Sequence, residues 1–458
     1  MTHWIVLAAT AAALIGRWQG AISVMGTDLG IQVEFTRSAD SLAATIDIPA
    51  QAVSGFRMRD VRLRGDSLSF VLPAPGATAL FDGVVRGDSI AGAFRQAGIT
   101  ASFHLARSAE RLVAADSTLP YDAEEVRIES ADAMFAGTLT RPRGSGRYPA
   151  LVLVSGSGAE DRDETLFGFK PFAILADHLT RNGFAVLRCD DRGAGSTVGK
   201  VAGTTSHDYA GDLRAQIRFL AARKEIDPRR IGMLGHSEGG IIGPLAAVGN
   251  DSIAFLVLLA PPGIRGDSVL FDQGERITRM STTNDTVLAL NREAVKRLAH
   301  ASVTNQGWDS ARVGVENMLR YTLGSAVADS VITGAANVQV KMFKSAWMRS
   351  FLILDPAPIL AQVRCPVLAL FGANDLQVAP EVNAPPLERA LRRGGNRDVT
   401  VRVLPRANHL FQETDSGSPM LYGTLKKEFV PGLLDTVTTW LVARTRPAAA
   451  KPPRAAKR

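Results

Sequence analysis

The chain has 458 residues, enough for about three domains at roughly 150 residues each, so a single small domain is excluded. Hydrophobic residues make up 46% and charged residues 21% of the sequence, which excludes an intrinsically disordered protein. The formal net charge is +7, but six basic residues lie in the last fifteen positions, and without them the charge is +1. Because a nucleic-acid surface needs its charges on folded structure, we expect no nucleic-acid partner.

Residues 1–15 are predicted to be a leader segment. Residues 5–15 form an apolar run that is too short to span a bilayer, and the three alanines at 11–13 are typical of a cleavage site. No Lys or Arg precedes this run, so a buried strand or helix is the alternative interpretation. The leader predicts a periplasmic or secreted protein. No other stretch is suited to cross a membrane, and we expect no integral membrane span.

Residues 16–108 consist of short segments in which apolar and polar side chains alternate with a period of two. Turn signals such as Gly65-Asp66 separate them. About eight strands at roughly ten-residue spacing predict a small antiparallel barrel or sandwich. The polar residues 109–122 are predicted to be a linker. The clearest alternating segments are residues 29–35, 67–71 and 100–105.

The pattern changes over residues 123–443, where apolar runs alternate with helical patterns. Runs of this kind are typical of strands buried on both faces of a parallel sheet. The sequence therefore predicts an α/β fold with a mostly parallel sheet and helices on both faces. The apolar runs are residues 150–154, 185–189, 230–234, 254–259 and 367–371.

A long helical insertion is predicted between the last two of these runs. A crossover between parallel strands needs only about a dozen residues, whereas residues 265–355 have helical periodicity throughout. We expect this segment to form a lid, with one helix over residues 286–300 capped by Asn284 or Asp285. A closing helix is expected from about residue 432 to 442, and residues 444–458 are predicted to be a basic, disordered tail.

Residues 235–239 read Gly-His-Ser-Glu-Gly and match G-x-S-x-G, the turn that holds a serine on a strained corner between a strand and a helix. The match follows an apolar strand run and opens an apolar helix, as that turn requires. Ser237 is therefore the candidate nucleophile. The alternative is an incidental serine in a glycine-rich turn.

A serine hydroxyl needs a base, and the base needs an acid that orients it. In this fold the chain order is serine, acid, histidine. Of the two histidines that follow Ser237, His300 lies in the predicted lid and His409 follows the apparent final strand. His409 is the candidate base, with a structural loop histidine as the alternative. Asp375, which follows the penultimate strand, is the candidate acid, and Glu381 is the second choice.

Two backbone N–H groups are needed to bind the developing oxyanion. We expect these from Glu238, directly after the nucleophile, and from Ser157 in the loop after the first parallel strand. The Asp190-Asp191 pair is interpreted as shaping a loop near Arg192 rather than binding a metal, because no histidine cluster accompanies it. Residues 161–164 are interpreted as a solvated turn, with shaping of the pocket as the alternative.

No metal and no cofactor is expected. The segment 195–200 lacks the first glycine and the final Ser or Thr of a phosphate-binding loop. The two cysteines, Cys189 and Cys365, are too few for a thiolate metal site and are expected in buried strands.

Four motifs together resemble the bacterial secreted α/β-hydrolases of the EstD-like carboxylesterase type, and the resemblance covers nearly the whole chain. Residues 16–20 and 94–98 are also similar to the β-domain that these proteins often carry before the hydrolase. The resemblance implies that Ser237, Asp375 and His409 form a catalytic triad acting on short acyl esters. The four motifs are residues 155–164, 187–193, 235–240 and 408–412.

The sequence thus predicts a serine hydrolase that cleaves carboxylic esters through an acyl-enzyme, with a small-molecule acyl ester as its partner. A thioesterase or small-peptide hydrolase using the same triad is the nearest alternative. A cell-envelope ligand-binding protein with a relic hydrolase domain is the alternative from another class. Phe343 and Trp347 of the lid are candidates for lining an acyl pocket, while the β-domain is expected to take no part in the chemistry. The sequence gives no indication of oligomeric state.

Overall fold

A computed structural model describes most of the chain in two sheets and their helices. The described residues are 14–24, 27–38, 41–48, 53–73, 78–96, 99–107, 119–324 and 327–446. Three predictions lie partly or largely outside them, because residues 1–13 of the leader, 109–118 of the linker and 447–458 of the tail are not described.

The first sheet is antiparallel and has the strand order β4-β3-β2-β1-β9-β8-β7-β6-β5. Its alternating burial is clearest in β6, where every second side chain is buried. The strands are β1 Gly16–Val24, β2 Thr27–Ser38, β3 Ser41–Ile48, β4 Val53–Arg57, β5 Arg59–Arg64, β6 Ser67–Leu72, β7 Ala79–Arg86, β8 Ser89–Gln96 and β9 Ile99–Arg107.

The two edges of this sheet meet. Strands β4 and β5 follow each other along the chain on either side of Met58, and β4 pairs with β3 while β5 pairs with β6. The Met58 amide donates to the Ala44 carbonyl at 2.8 Å. Phe70 and Phe81 stack inside, with ring centroids 4.7 Å apart. The predicted small β-barrel is therefore confirmed as a nearly closed antiparallel sheet with an aromatic core.

The second sheet has the order β10-β11-β13-β12-β15-β16-β17-β18, with the two-residue β14 beside β11. Neighbours from β13 to β18 are parallel, and β10 and β11 are antiparallel. The strands are β10 Tyr121–Ser130, β11 Ala133–Pro142, β12 Tyr148–Val154, β13 Ala185–Cys189, β14 Val198–Gly199, β15 Ile226–His236, β16 Leu256–Leu259, β17 Val367–Gly372 and β18 Val399–Leu404.

Helices of the α/β domain pack against this sheet, and the predicted α/β fold class is confirmed. Their apolar sides join the strands in one continuous core that includes Leu175 of α1, Leu213 of α2 and Leu441 of α11. The helices are α1 Pro171–Arg181, α2 Ser206–Ala221, α3 Gly239–Ala247, α9 Pro356–Leu360, α10 Pro380–Arg393 and α11 Leu433–Thr445.

Five further helices form the insertion between β16 and β17. Asn284, not Asp285, caps the N-terminus of α5, because its side chain accepts hydrogen bonds from the amides of Thr286 and Val287. The insertion has a core of its own, to which Leu298 and Leu352 belong. Its helices are α4 Gly266–Ser281, α5 Asp285–Thr304, α6 Trp308–Leu323, α7 Asp329–Phe343 and α8 Ala346–Ile353.

Three local predictions were wrong. Tyr121 and Asp122 belong to β10 instead of the linker, because they pair with β11 at Pro142 and Arg141. Cys365 precedes β17 instead of lying in it. Arg444 and Thr445 belong to the closing helix instead of the tail, and the Arg444 side chain pairs with the Asp398 carboxylate just before β18.

Within the part of the chain that the structure describes, no helix combines the length and apolar character needed to cross a membrane.

The turn from β15 into α3 is packed so closely that it admits only glycine at two positions. A Cβ on Gly235 would lie 2.3 Å from the Gly239 carbonyl oxygen, and a Cβ on Gly239 would lie 2.3 Å from that of Val154 in β12. Between them Ser237 has a φ of 52°, a left-handed conformation that is strained for a residue with a side chain. The contact of two strands and a helix therefore fixes Ser237.

We expect Gly239→Ala to lower the free energy of unfolding of the α/β domain by about 3 kcal/mol or more, because the new methyl group collides with backbone that cannot move aside. Urea unfolding measures the loss. Gly211→Ala in α2 is the matched control, since nothing lies within 4 Å of a Cβ there and alanine favours a helix by about 1 kcal/mol. Equal stability of Gly239→Ala and the unsubstituted chain would contradict the packing argument.

Candidate active site

Ser237 lies at the carboxyl end of β15, directly after His236, which is the last residue of that strand. Its amide donates to the Leu259 carbonyl at 2.8 Å, and its own carbonyl accepts from the Gly240 amide at 2.8 Å. These bonds hold the strained backbone between β16 and α3. The side chain is half-buried at the edge of the sheet where the parallel strands end.

Asp375 and His409 meet at the same edge, in the loops after β17 and β18. The Asp375 Oδ2 lies 2.8 Å from the His409 Nδ1, and both side chains are buried. The Asp375 Oδ1 accepts from the amides of Gln377 and Val378 at 2.8 and 2.9 Å. Burial alone would raise the pKa of Asp375, but His409 and these amides hold it below its ordinary value. The ionised carboxylate fixes the proton of His409 on Nδ1 and leaves Nε2 to accept one.

The structure brings the His409 ring next to the serine turn. Its centroid is 4.7 Å from that of His236, the neighbour of Ser237. Among the described residues the Ser237 hydroxyl makes no hydrogen bond to His409. This bond is often long in unliganded enzymes and tightens when substrate binds.

The two alternative residues named from the sequence lie elsewhere. Glu381 is exposed at the start of α10, where it pairs with Arg276 at 2.7 Å. His300 is exposed on α5 of the insertion. Neither contacts His409 through any described hydrogen bond or ion pair.

The loop of residues 155–158, which follows β12, lies against the serine turn and is called the oxyanion loop below. A Cβ on Gly156 would be 3.3 Å from the Ser237 Cβ. The Gly156 amide is already used, since it donates to Glu164 Oε1 at 2.8 Å. Within the described chain, the amides of Ser157 and Glu238 donate to no other residue. These are the two amides that the sequence suggested for an oxyanion.

The Glu238 carboxylate links the serine turn to the insertion. It accepts from the Ser206 hydroxyl at 2.6 Å and from the Trp347 indole at 2.9 Å. Burial raises the pKa of Glu238, although these donors oppose the shift. Of the two insertion residues named from the sequence, Trp347 therefore reaches the site. Phe343 packs instead in the core of the insertion.

Asp190 shapes a loop, as the sequence indicated, but with a different arginine. It accepts from the Arg162 guanidinium at 2.9 and 3.0 Å. Arg192 pairs instead with Asp212 of α2 at 2.6 Å. Across the described residues no group of three His, Cys, Asp or Glu side chains is arranged to hold a metal ion.

Asp191 is half-buried beneath the oxyanion loop. Its Oδ2 accepts from the Ser155 hydroxyl at 2.6 Å and from the Glu160 amide at 3.1 Å. Burial raises its pKa to about 8 despite these two donors. The acid is therefore largely protonated at neutral pH.

Sequence reasoning missed two residues at the centre of the site, Glu164 and His236. Glu164 is 2% exposed, so the interpretation of residues 161–164 as a solvated turn was wrong at that position. Its Oε1 lies 2.8 Å from the His236 Nδ1. The available signal was a charged run directly after the oxyanion loop, together with a histidine ending an otherwise apolar strand.

A family model described as the Alpha/beta hydrolase family matches residues 151–418, which is more than half of the chain. The chain therefore belongs to the α/β hydrolase family. This agrees with the order of the strands and with the strained serine after β15.

Among individual proteins, the chain is similar to Esterase EstD of Thermotoga maritima, with 26% identity over 306 residues. That match covers 67% of this chain and 65% of EstD, which is less than two thirds of its length. It confirms the EstD-like resemblance that the motifs indicated.

Two solved structures are also similar. An esterase of Pyrococcus furiosus is 15% identical with a TM-score of 0.45, and covers 71% of this chain and 91% of its own. A proline iminopeptidase of Mycobacterium smegmatis is 15% identical with a TM-score of 0.43, and covers 70% and 98%. At this identity and TM-score, the similarity does not indicate which substrate the chain acts on.

We expect Asp191→Asn to flatten the dependence of stability on pH. Because the folded state keeps a proton that the unfolded chain releases near its ordinary pKa of 3.8, the free energy of unfolding should fall as pH rises towards about 8. The slope is at most about 1.4 kcal/mol per pH unit. Asparagine does not titrate, and its amide oxygen can still accept from Ser155 and Glu160.

Thermal unfolding at pH 5, 6.5 and 8 measures this difference. The unsubstituted chain should lose more stability than Asp191→Asn over that range, and at pH 8 the variant should be the more stable. The exposed Asp251→Asn controls for the loss of one carboxylate. Parallel curves for the chain and Asp191→Asn would show that burial does not hold this acid protonated.

Proposed function

We propose that this protein is a serine hydrolase of carboxylic esters, that short-chain acyl esters are its substrate class, and that Ser237, His409 and Asp375 carry the reaction. The observation that carries the proposal is the 2.8 Å contact between Asp375 and His409 beside a serine in a left-handed turn. The similarity to a protein named as an esterase supports it.

In the first half of the reaction, His409 Nε2 takes the proton of Ser237 while the hydroxyl oxygen attacks the ester carbonyl carbon. The resulting oxyanion accepts from the amides of Glu238 and Ser157. When the tetrahedral intermediate collapses, the bond to the alcohol oxygen breaks and His409 gives it the proton. An acyl-enzyme and a free alcohol remain.

Water completes the cycle. His409 removes a proton from the water that attacks the acyl carbon, and then returns it to the Ser237 oxygen as the carboxylic acid leaves. Asp375 keeps the imidazole oriented and stabilises its positive charge in both halves. The depressed pKa of Asp375 suits this role, because the carboxylate stays ionised over the working range.

The insertion supplies an apolar surface over the site. Trp347 stacks on Phe351, with ring centroids 5.6 Å apart, and its indole nitrogen is bound by Glu238 beside the nucleophile. A bulky ring held by the residue next to Ser237 limits the space for an acyl chain. This is the reason for proposing short chains.

Thioesters and small peptides could be cleaved by the same groups, so matched ester, thioester and amide substrates should be compared directly. A relic domain that only binds a ligand is disfavoured by the intact contact between His409 and Asp375.

Ser237→Ala should lower kcat for p-nitrophenyl butyrate by about 10⁴-fold or more, because nothing else in the site can form the acyl-enzyme. The thermal unfolding midpoint should stay close to that of the unsubstituted chain. Labelling with a fluorophosphonate should disappear. Ser252→Ala, on an exposed turn, is the control and should retain both ester cleavage and fluorophosphonate labelling. A Ser237→Ala variant that keeps a tenth of the activity would remove this serine as nucleophile.

Trp347→Ala should shift the acyl-chain preference towards longer esters. We expect the ratio of kcat/KM for decanoate over butyrate to rise at least about tenfold, because a confining wall discriminates by roughly 1 to 3 kcal/mol per methylene. Trp347→Phe keeps a ring but removes the bond to Glu238, and so separates bulk from hydrogen bonding. Tyr321→Ala, exposed on α6, is the control. If Trp347→Ala leaves the decanoate-to-butyrate ratio of kcat/KM unchanged, Trp347 does not confine the acyl chain.

A further inference from the structure

We propose that Glu164 and His236 form a buried ion pair that positions the oxyanion loop and the His409 loop around Ser237 without taking part in bond making. The proposal rests on the proposed serine hydrolase function and adds two positioning residues to it.

The pair connects three separate parts of the site. Glu164 Oε1 accepts from the Gly156 amide at 2.8 Å, and the same oxygen lies 2.8 Å from His236 Nδ1. On its other side, His236 Nε2 lies 3.0 Å from the backbone carbonyl oxygen of His409. One continuous chain of hydrogen bonds therefore runs from the oxyanion loop through the serine turn to the loop of the base.

The contacts determine the protonation of His236. A carbonyl oxygen can only accept, so Nε2 must carry a proton that it donates to His409. Nδ1 faces a carboxylate oxygen, which also accepts. Burial alone would lower the pKa of His236, but the Glu164 carboxylate and the His409 carbonyl raise it above its ordinary value. An imidazolium that donates from both nitrogens satisfies every contact.

His236 is thereby excluded as the general base. Both of its nitrogens are used in contacts that hold backbone and carboxylate, and a base needs a free lone pair directed at the serine proton. His409 keeps its Nε2 for that purpose, because its Nδ1 faces Asp375. The two neighbouring histidines therefore have different tasks.

The Glu164–His236 pair is not explained by a gain in folding stability. Glu164 and His236 are 2% and 5% exposed, and burying two charges costs more than an apolar pair of similar size. In addition, Glu164 Oε2 is buried with no hydrogen-bond partner among the described residues. An unpaired buried carboxylate oxygen is a further cost. These costs indicate that the pair holds the oxyanion loop and the His409 loop in position and does not add to stability.

The loop that carries Glu164 is built to direct it inward. Glu164 has a φ of 51°, and its amide donates to the Asp161 carbonyl at 2.8 Å. The Asp161 side chain accepts from the amides of Asp163 and Thr165 at 2.9 and 3.1 Å. It also pairs at 2.6 Å with Arg17, which belongs to β1 of the barrel. The strained position of Glu164 is thus supported from both domains.

The test uses the full chain with three single substitutions. Glu164→Gln keeps an oxygen that can accept from Gly156 but removes the charge. His236→Asn places an amide near the position of Nδ1 and can keep the contact with Glu164. His236→Gln reaches towards the position of Nε2 and can keep the contact with the His409 carbonyl. Glu164→Gln therefore removes the charge of the pair, His236→Asn breaks the contact with the His409 carbonyl, and His236→Gln breaks the contact with Glu164.

We expect Glu164→Gln to lower kcat by about 100-fold, the size of effect seen when one oxyanion donor is lost, while KM changes by less than about threefold. Fluorophosphonate labelling should slow in parallel. Each histidine variant should lose kcat in the same way. The double variant Glu164→Gln/His236→Gln should be no worse than the more damaging single one, because the two residues act as a unit.

Asp227→Asn is the matched control. It also removes a largely buried, ion-paired carboxylate of the α/β domain, at 2.9 Å from Arg230, but at the opposite end of β15. Its stability should fall while kcat stays unchanged. A kcat of Glu164→Gln within about threefold of the unsubstituted chain, or no lower than that of Asp227→Asn, would overturn the proposal.

Nitrogen-15 NMR of the His236 ring gives a readout that does not depend on turnover. Both ring nitrogens should be protonated at pH 7 in the unsubstituted chain, and one proton should be lost in Glu164→Gln. A singly protonated His236 in the unsubstituted chain would overturn the ion pair. If the unsubstituted chain cleaves no ester, the proposed function fails, and the NMR result still decides whether the pair exists.

Discussion

The geometry of the candidate site depends on the close contact of β12, β15 and α3. At Gly235 and Gly239 the backbones approach so closely that a methyl group would overlap a carbonyl oxygen. This contact forces Ser237 into a left-handed conformation and places its hydroxyl beyond the end of the sheet. It also brings the oxyanion loop, which continues from β12, against the serine. The other groups of the candidate site lie around a serine whose place is set by backbone packing.

Around that turn the chain places several carboxylic acids wholly or partly out of solvent and gives each a different environment. Asp375 faces a histidine and two amides, so its pKa is lowered, whereas burial dominates at Asp191 and raises its pKa to about 8. Glu238 is also buried, and its pKa is raised although it has several donors. Asp375 is thus distinguished from these neighbours by the groups that donate to it and not by how deeply it is buried.

The candidate residues Ser237, Asp375 and His409 could be predicted because each follows a parallel strand, and the carboxyl ends of parallel strands meet at one edge. Chain order and apolar patterning therefore suffice to select them. Glu164 could not be predicted in the same way, since its burial depends on a left-handed backbone and on a loop that turns inward. Trp347 could be named as a lid residue, but its contact with the serine turn depends on the packing of a separate helical core.

The contact between Arg17 and Asp161 changes what the barrel can be expected to do. The sequence suggested a β-domain that takes no part in the chemistry. Among the described residues, no hydrogen bond or ion pair joins the barrel to Ser237, Asp375 or His409. Yet Arg17 holds the aspartate that organises the loop beside the oxyanion loop. Arg17 and Asp161 are both about one fifth exposed, so solvent screens this pair only in part. If Glu164 positions the site, the barrel influences catalysis through the loop without contributing a group to it, and removing the barrel would loosen a loop as well as delete a domain.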